Sequence, residues 1–169
     1  IPKKVLGRNG FLPMQETRQE TDTYTGGAGL QETGEGLSFD TRLYPYYGML
    51  DDNLRAVYRQ VYANAQELIA TFEPVAEINA SQAMTVMEAV YSDQPQLFWL
   101  DNSFSYVALR NGKCVEMTLA FNRTADSREI SRSSFLSEAN EVISGALRYT
   151  TDYDKEKYVH DAIAARVDY

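Results

Sequence analysis

The chain has 169 residues, a formal net charge of −8 and one cysteine, and its share of hydrophobic residues is that of an ordinary globular protein. This length fits one domain with a hydrophobic core, or one domain and a flexible arm, and argues against two full domains. The negative charge repels phosphate backbones, and no run approaches the roughly 20 apolar residues that cross a bilayer, so neither a nucleic acid partner nor membrane insertion is expected.

Residues 1–42 are predicted to form a flexible arm or linker. The stretch GFLPMQETRQETDTYTGGAGLQETGEGLSFD is rich in Gly, Thr, Glu and Gln, and its apolar residues are single and follow no period. Such a stretch buries too little surface to offset the roughly 1–2 kcal/mol per residue that ordering its backbone costs. Its glycines precede no Lys-Ser or Lys-Thr pair, which excludes a phosphate-binding loop.

Ordered structure is predicted from about residue 43, and its first strong element is a helix. In DDNLRAVYRQVYANAQELIATF, which begins at Asp51, apolar residues recur three and four positions apart. Asp51 or Asp52 is the expected cap, and Pro74 is expected to end the helix before a short strand at PVAEI. A second helix is predicted to begin at Asn79 or Ser81 and to end before the sequence DQP.

A β-hairpin and further helices follow. The runs LFWL, SYVALR and KCVEMTLAF read as strands, and Asn111-Gly112 between the last two favours a two-residue type I′ turn. Helical spacing then predicts a third helix over about residues 134–148, and Thr151 is the expected cap of a fourth. Because there is no regular βαβ alternation, the prediction is an α+β domain at residues 43–150, with a small antiparallel sheet packed against three to four helices.

Cys114 and His160 are the candidate residues for catalysis, as the nucleophile and base of a small cysteine hydrolase. Cys114, however, lies two residues past the predicted turn rather than at a helix N-terminus, so a free cysteine packed in the sheet is the competing interpretation. Asp161 is expected to point about 100° away from His160 on their helix, and so to orient it poorly. One histidine and one cysteine are too few for a typical metal site, and neither a metal nor a cofactor is expected.

Aromatic residues form a second candidate site, a stacking surface for a peptide or a glycan. The cluster comprises Tyr44, Tyr46, Tyr47, Phe98, Trp99, Phe104 and Tyr106, of which Tyr46, Tyr47, Trp99 and Tyr106 are the binding candidates. The competing interpretation is core packing, because the strand around Phe98 and Trp99 has the continuous apolar sequence of a buried strand.

Three stretches of the chain resemble a known family. YRQVYANAQELI, AVYSDQPQLFWLD and TDYDKEKYVHDAIAARVDY are similar to the region before and at the start of the catalytic domain in bacterial transglutaminase-like proteins, of the transglutaminase/protease superfamily. The resemblance spans residues 43–169 and implies that residues 151–169 are the first helix of a truncated papain-like domain. In that family the catalytic Cys, His and Asp follow later, so none of them maps onto this chain. Cys114 precedes the helix, and no Gly-Tyr follows it.

The resemblance implies a non-catalytic N-terminal domain that shapes or tethers the catalytic half of the same protein. We expect no acyl transfer or proteolysis from this chain alone, and a location outside a bacterial cell or in its envelope. Two alternatives come from other classes of protein. One is a free-standing module that uses the aromatic surface to bind a peptide or a glycan such as that of the cell wall, and the other is a cysteine hydrolase that uses Cys114 and His160.

Overall fold

The computed structural model describes residues 13–27 and 29–166. The chain divides into two compact units, and the boundary between them lies between Asn122 and Arg123. The sequence placed a boundary between residues 150 and 151 instead, because it counted the third predicted helix with the preceding domain. Residues 1–12 of the predicted arm and residues 167–169 of the predicted last helix lie outside the described residues.

Unit 1 combines a sheet with three helices, and its elements confirm the predicted α+β class. In chain order they are β1 (Gln15–Thr21), α1 (Pro45–Met49), α2 (Asp52–Glu67), β2 (Thr71–Phe72), β3 (Ile78–Asn79), α3 (Ala80–Asp93), β4 (Leu100–Leu109) and β5 (Lys113–Phe121). The strand order is β1-β4-β5-β2, and β3 also pairs with β5. The β4 strand is antiparallel to β5 but parallel to β1, so the sheet is mixed rather than purely antiparallel.

The long helix α2 forms where its apolar spacing predicted it, but it ends earlier. Asp51 caps the helix by accepting a hydrogen bond from the Leu54 N–H at 2.9 Å. At the other end Leu68 adopts a left-handed conformation with φ 56°, which stops the helix before Pro74. Two residues of the intervening segment, Thr71 and Phe72, pair with β5 instead.

The hairpin between β4 and β5 exists, but its turn differs from the predicted type I′ turn. Gly112 has φ 88°, whereas Asn111 does not adopt a positive φ. The Gly112 N–H donates to the Leu109 carbonyl oxygen at 2.8 Å, which leaves a three-residue loop that ends in a left-handed glycine. The side chain of Asn111 is used differently, because its Oδ1 accepts from the Lys113 N–H at 3.0 Å.

The residues predicted to be a flexible arm contain a strand and a docked segment. β1 pairs along its whole length with β4, although six of its seven side chains are exposed. Residues 31–39 pack against α2. Phe39 meets the rings of Tyr58 and Tyr62 of α2, and those of Tyr44 and Tyr47 at α1, at centroid distances of 5.1–5.4 Å. The arm prediction was wrong for these residues because backbone pairing and a single aromatic ring order them, and neither produces an apolar period.

Unit 2 is a pair of helices, α4 (Ala125–Ala146) and α5 (Asp152–Ala164). Thr124 caps α4, which begins at Ala125, nine residues before the predicted start, whereas Thr151 caps α5 as predicted and accepts from the Asp154 N–H at 3.1 Å. The two helices approach closely at Gly145, where a Cβ would lie 2.0 Å from the Tyr158 hydroxyl oxygen. Among the described residues, no helix is long and apolar enough to cross a bilayer.

Candidate functional site

Cys114 lies on the core face of β5, where its side chain is 2% exposed. Its thiol is 3.6 Å from the Glu116 carbonyl oxygen, and burial raises the pKa of the Cys114 thiol to about 11. A nucleophilic cysteine needs the opposite shift, because the thiolate is the reactive form. The geometry therefore favours the interpretation of a packed free cysteine over that of a nucleophile.

His160 is exposed on α5, in the other unit from Cys114. Its Nδ1 lies 3.2 Å from Asp161 Oδ1, so the expectation that neighbouring positions keep these side chains apart was wrong. Hydrogen bonds from His160 and then from Lys157 hold the pKa of Asp161 below its ordinary value. The Lys157–Asp161 ion pair and the neighbouring His160 form a surface cluster on one helix, and none of its members belongs to the unit that contains Cys114.

The predicted aromatic surface is largely part of the core. Tyr47, Trp99 and Tyr106 are 7%, 2% and 4% exposed, so they cannot offer ring faces to a ligand. The indole N–H of Trp99 donates to the Ala65 carbonyl oxygen at 2.7 Å, which fixes the ring beneath α2. Tyr46, the fourth binding candidate, is half-buried on α1. Core packing explains the cluster because each ring fills space between the helices and the sheet.

A groove of about 440 Å³ lies at the edge of the sheet and collects several carboxylates, and we call it the acidic groove. Its lining includes Tyr24, Glu73, Glu77, Lys113 and Cys114. The Tyr24 hydroxyl donates to Glu116 Oε2 at 2.7 Å and lies 3.4 Å from Glu73 Oε1, and burial with these carboxylates raises the pKa of Tyr24. Lys113 Nζ lies 2.9 Å from Glu77 Oε2.

The carboxylates of the acidic groove are held by donors of the chain itself. Glu73 also accepts from the Gly27 N–H at 3.2 Å. In the part of the chain that the structure describes, no group of three or more His, Cys, Asp and Glu side chains could hold a metal ion. Sequence reasoning missed the groove because Tyr24 and Glu73 are 49 residues apart, one in the predicted arm and the other at the predicted end of a helix.

A second cleft in unit 1, of about 390 Å³, is lined by both apolar and polar side chains and lies at the sequence DQPQLFWLD. We call it the Phe98 cleft, and its lining residues are Tyr91, Gln94, Pro95, Leu97, Phe98, Leu100, Asp101, Asn102 and Asn122. Asn122 Nδ2 donates to the Phe98 carbonyl oxygen at 3.2 Å, which positions one amide at the rim. A ring beside amide and carboxylate groups is the combination that binds a sugar or a polar peptide.

Unit 2 has large aliphatic side chains on its surface. Leu136 and Ile143 on α4 are 47% and 55% exposed, and Leu147, which directly follows α4, is 71% exposed. With about 100° per residue, positions separated by seven and four fall on nearly one line along the helix. We call these three residues the α4 apolar row. The α4 apolar row lies on another side of the helix from the contact with α5, because that contact is made at Gly145, next to the buried Ala146.

Comparisons with protein-family models, curated proteins and solved structures find no match to this chain. The class that the fold defines is a two-unit α+β protein in which a mixed sheet packs beneath helices and a separate helix pair follows. Within this class the functional assignment depends on the buried thiol, the two clefts and the α4 apolar row.

Proposed function

We propose that this chain is the non-catalytic N-terminal part of a bacterial transglutaminase-like protein, and that the α4 apolar row packs against the catalytic half. The observation that carries the proposal is the exposure of Leu136, Ile143 and Leu147 along one side of α4. Another side of the same helix is already packed, because Gly145 lies against Tyr158 of α5. Exposed apolar side chains that lie close together are typical of a surface that another protein or domain covers.

The size of the α4 apolar row supports a contact. Fully burying a Leu or Ile side chain contributes about 1.5–3 kcal/mol, and each member of the row has roughly half or more of its surface still to bury. Covering all three therefore contributes on the order of 3 kcal/mol before the cost of association. This energy alone does not cover the cost of joining two separate polypeptides, so we propose that the α4 apolar row is one part of a larger contact with the catalytic half.

The chemistry of unit 1 supports a role without catalysis. Cys114 has its pKa raised to about 11 by burial, and the carboxylates of the acidic groove are bonded to Tyr24, Gly27 and Lys113. The sequence phrases DQPQLFWLD and DKEKYVHDAIAARVDY supply the likeness to the transglutaminase-like family. The proposed extracellular or envelope location follows from that likeness, and fractionation of the bacterium tests it.

The decisive experiment is to read the gene beyond the codon for Tyr169 and to express the encoded segment with this chain. A Cys, His and Asp in that order downstream, together with co-purification of the two polypeptides, is the expected result. Leu136→Ser, Ile143→Ser and Leu147→Ser combined are expected to abolish co-purification. A stop codon directly after Tyr169 would overturn the proposal.

A matched control separates loss of the contact from loss of solubility or folding. Leu43 and Met49 are also exposed, at 72% and 78%, but they belong to unit 1. Leu43→Ser with Met49→Ser removes comparable apolar surface and is expected to leave co-purification unchanged. If the control variant also loses the partner, the α4 apolar row is not the contact.

The Phe98 cleft favours one second candidate, a module that binds a peptide or a cell-wall glycan. In this role the Phe98 cleft replaces the buried aromatic surface. It offers the aromatic residues Tyr91 and Phe98 and polar side chains that include Asp101, Asn102 and Asn122. A peptide and glycan array tests it. Binding that Asp101→Ala weakens at least tenfold would favour the module, and no signal on the array would count against it.

A further inference from the structure

β1 is the edge strand of the sheet in unit 1, and its outer side has no strand beside it among the described residues. Its sequence QETRQET contains no proline, glycine or lysine, and the pairing with β4 runs without a register shift from Gln15 to Thr21. Proteins usually protect a long regular edge with a bulge, a proline or lysines, because the unpaired N–H and C=O groups can accept another strand. This edge has no proline, lysine or bulge, and what protects it is the charge of Glu16, Arg18 and Glu20, which a strand of complementary charge can satisfy.

The charges of β1 alternate along one face. Glu16, Arg18 and Glu20 lie on the face shared with Phe104, Tyr106 and Ala108 of β4, and Arg18 Nη2 contacts Glu20 Oε2 at 2.8 Å. Gln15, Thr17, Gln19 and Thr21 lie on the other face. The pattern of acid, base and acid is complementary to a copy of itself only in some registers, and this restricts how two copies can pair.

We propose that β1 pairs antiparallel with β1 of a second copy of this chain, with Thr17 on the two-fold axis. In this register Glu16 lies opposite Arg18 of the second copy, and symmetry repeats the pair. Gln15 lies opposite Gln19, and Thr17 lies opposite itself. Opposite charges and matched polar side chains in facing positions stabilise an antiparallel pair. The sheet then continues from one copy into the next.

The neighbouring symmetric registers are less favourable. Centring the pair on Glu16 or on Glu20 places that glutamate opposite itself. Centring the pair on Arg18 places arginine opposite arginine and Glu16 opposite Glu20, so every charged pair is repulsive. Centring it on Gln19 places Arg18 opposite Glu20, but also Glu16 opposite Asp22. Only the register centred on Thr17 joins opposite charges without a facing pair of like charges.

The contact is short, which determines the kind of dimer we expect. Only five residues of each β1, Gln15 to Gln19, face each other in this register. They bury far less than the roughly 1,200–2,000 Å² of a standard interface, so the dimer forms reversibly and at high protein concentration. Its two Glu–Arg pairs are exposed to solvent, so added salt weakens it. The proposal is independent of the α4 apolar row, which lies in the other unit.

Disulfide trapping in the full chain tests the register. Thr17→Cys places two thiols opposite each other across the axis, and mild oxidation is expected to give a covalent dimer within minutes. Gln19→Cys is the matched control, since its two copies lie four residues apart along the paired strands. Cys114 contributes little background because its side chain is 2% exposed. A dimer from Gln19→Cys, or equal yields from both variants, would overturn the proposed register.

Charge reversal tests the pairing without a crosslink. Glu16→Arg and Arg18→Glu each create two like-charge pairs and are expected to raise the dimer dissociation constant about tenfold. The double variant restores opposite charges and is expected to restore the dimer, as measured by sedimentation at several concentrations. Glu20→Gln removes only the contact of Arg18 within its own strand and is expected to leave the dimer intact. A double variant as weak as the single ones, or a wild type that stays monomeric at millimolar concentration, would refute the proposal.

Discussion

Asn64 holds both backbone polar groups of Glu32. Asn64 Oδ1 accepts from the Glu32 N–H at 3.0 Å, and Asn64 Nδ2 donates to the Glu32 carbonyl oxygen at 2.7 Å. The side chain thereby replaces a missing strand partner for a segment that has no regular structure of its own. Because Asn64 is completely buried, these bonds form where no water competes for the same groups.

Asn64→Ala is therefore expected to loosen the segment around Glu32. The variant leaves two backbone groups without partners, and we expect it to lower the free energy of unfolding by about 1–3 kcal/mol. Urea denaturation measures the loss, and proteolysis is expected to cut first near residues 25–38. Asn53→Ala, at an exposed position of the same helix, is the matched control and should change stability by less than about 0.5 kcal/mol. Equal stability of the two variants would contradict this account.

The same segment depends on a glycine that lies against the backbone of α2. Gly34 has φ 71°, and a Cβ at this position would lie 2.4 Å from the carbonyl carbon of Arg59. Gly34→Ala is expected to lower the free energy of unfolding by about 2–4 kcal/mol, because it adds both a clash with backbone and a strained φ.

Gly29→Ala is the control for this effect. No atom lies within 4 Å of a Cβ added at Gly29, and its φ is not positive. This substitution is expected to be neutral or slightly stabilising, since it restricts only the unfolded chain. Thermal unfolding of the two variants checks the difference, and a Gly34→Ala protein as stable as Gly29→Ala would refute the docking of this segment.

Cys114 makes stability depend on pH in the alkaline range. Burial raises the pKa of its thiol from 9.0 to about 11 in the folded state, so the folded state binds this proton more tightly than the unfolded state does. The contribution is fully present below pH 9 and is lost as the pH rises from 9 to 11. At pH 10 the loss relative to pH 8 is about 1.4 kcal/mol.

Other groups also titrate in this range, so the prediction is a difference between two proteins. Wild type is expected to lose about 1.4 kcal/mol more than Cys114→Ala between pH 8 and pH 10, as measured by urea denaturation at each pH. Iodoacetamide labelling at pH 8 gives a second measurement. We expect slow labelling of the native protein and rapid labelling after unfolding. Rapid labelling of the native thiol would restore the hydrolase alternative.

Two of the three helices of unit 1, α2 and α3, could be predicted from the sequence because their signals are local, whereas the short helix α1 (Pro45–Met49) was not predicted. Asp51 and Asn79 cap α2 and α3 as expected, and each cap lies three residues from the N–H that it binds. The paired runs around Gly112 located the hairpin for the same reason. Its turn type could not be predicted, because a left-handed glycine fits the last position of a three-residue loop as well as a two-residue turn.

The missed features depend on contacts between distant residues. β1 has no apolar alternation, since both of its faces carry polar side chains, and only its pairing with β4 orders it. The hydrogen bond between Asn64 and Glu32 joins positions 32 residues apart, so it produces no periodic pattern in the sequence. The α4 apolar row shows a related limit of prediction from sequence. The spacing of Leu136 and Ile143 identified them as apolar residues of a helix, but it could not show whether another part of the protein covers them.

The close approach of α4 and α5 gives a test within unit 2. A Cβ at Gly145 would lie 2.0 Å from the Tyr158 hydroxyl oxygen and 2.4 Å from its ring carbon Cζ. Gly145→Ala is therefore expected to push Tyr158 out, to disrupt its ring contact with Tyr149 at 5.5 Å, and to destabilise the helix pair by about 1–3 kcal/mol.

Hydrogen exchange measures this effect unit by unit. Amides of α5 are expected to exchange at least tenfold faster in Gly145→Ala than in wild type, while those of α2 and β5 keep their rates. Ser144→Ala, at the exposed neighbouring position, is the control and should match wild type. Tyr158→Ala added to Gly145→Ala removes the clashing ring, so the double variant should lose less than the sum of the two single losses. Additive losses would mean that the two residues do not meet, because only residues in contact couple in such a cycle.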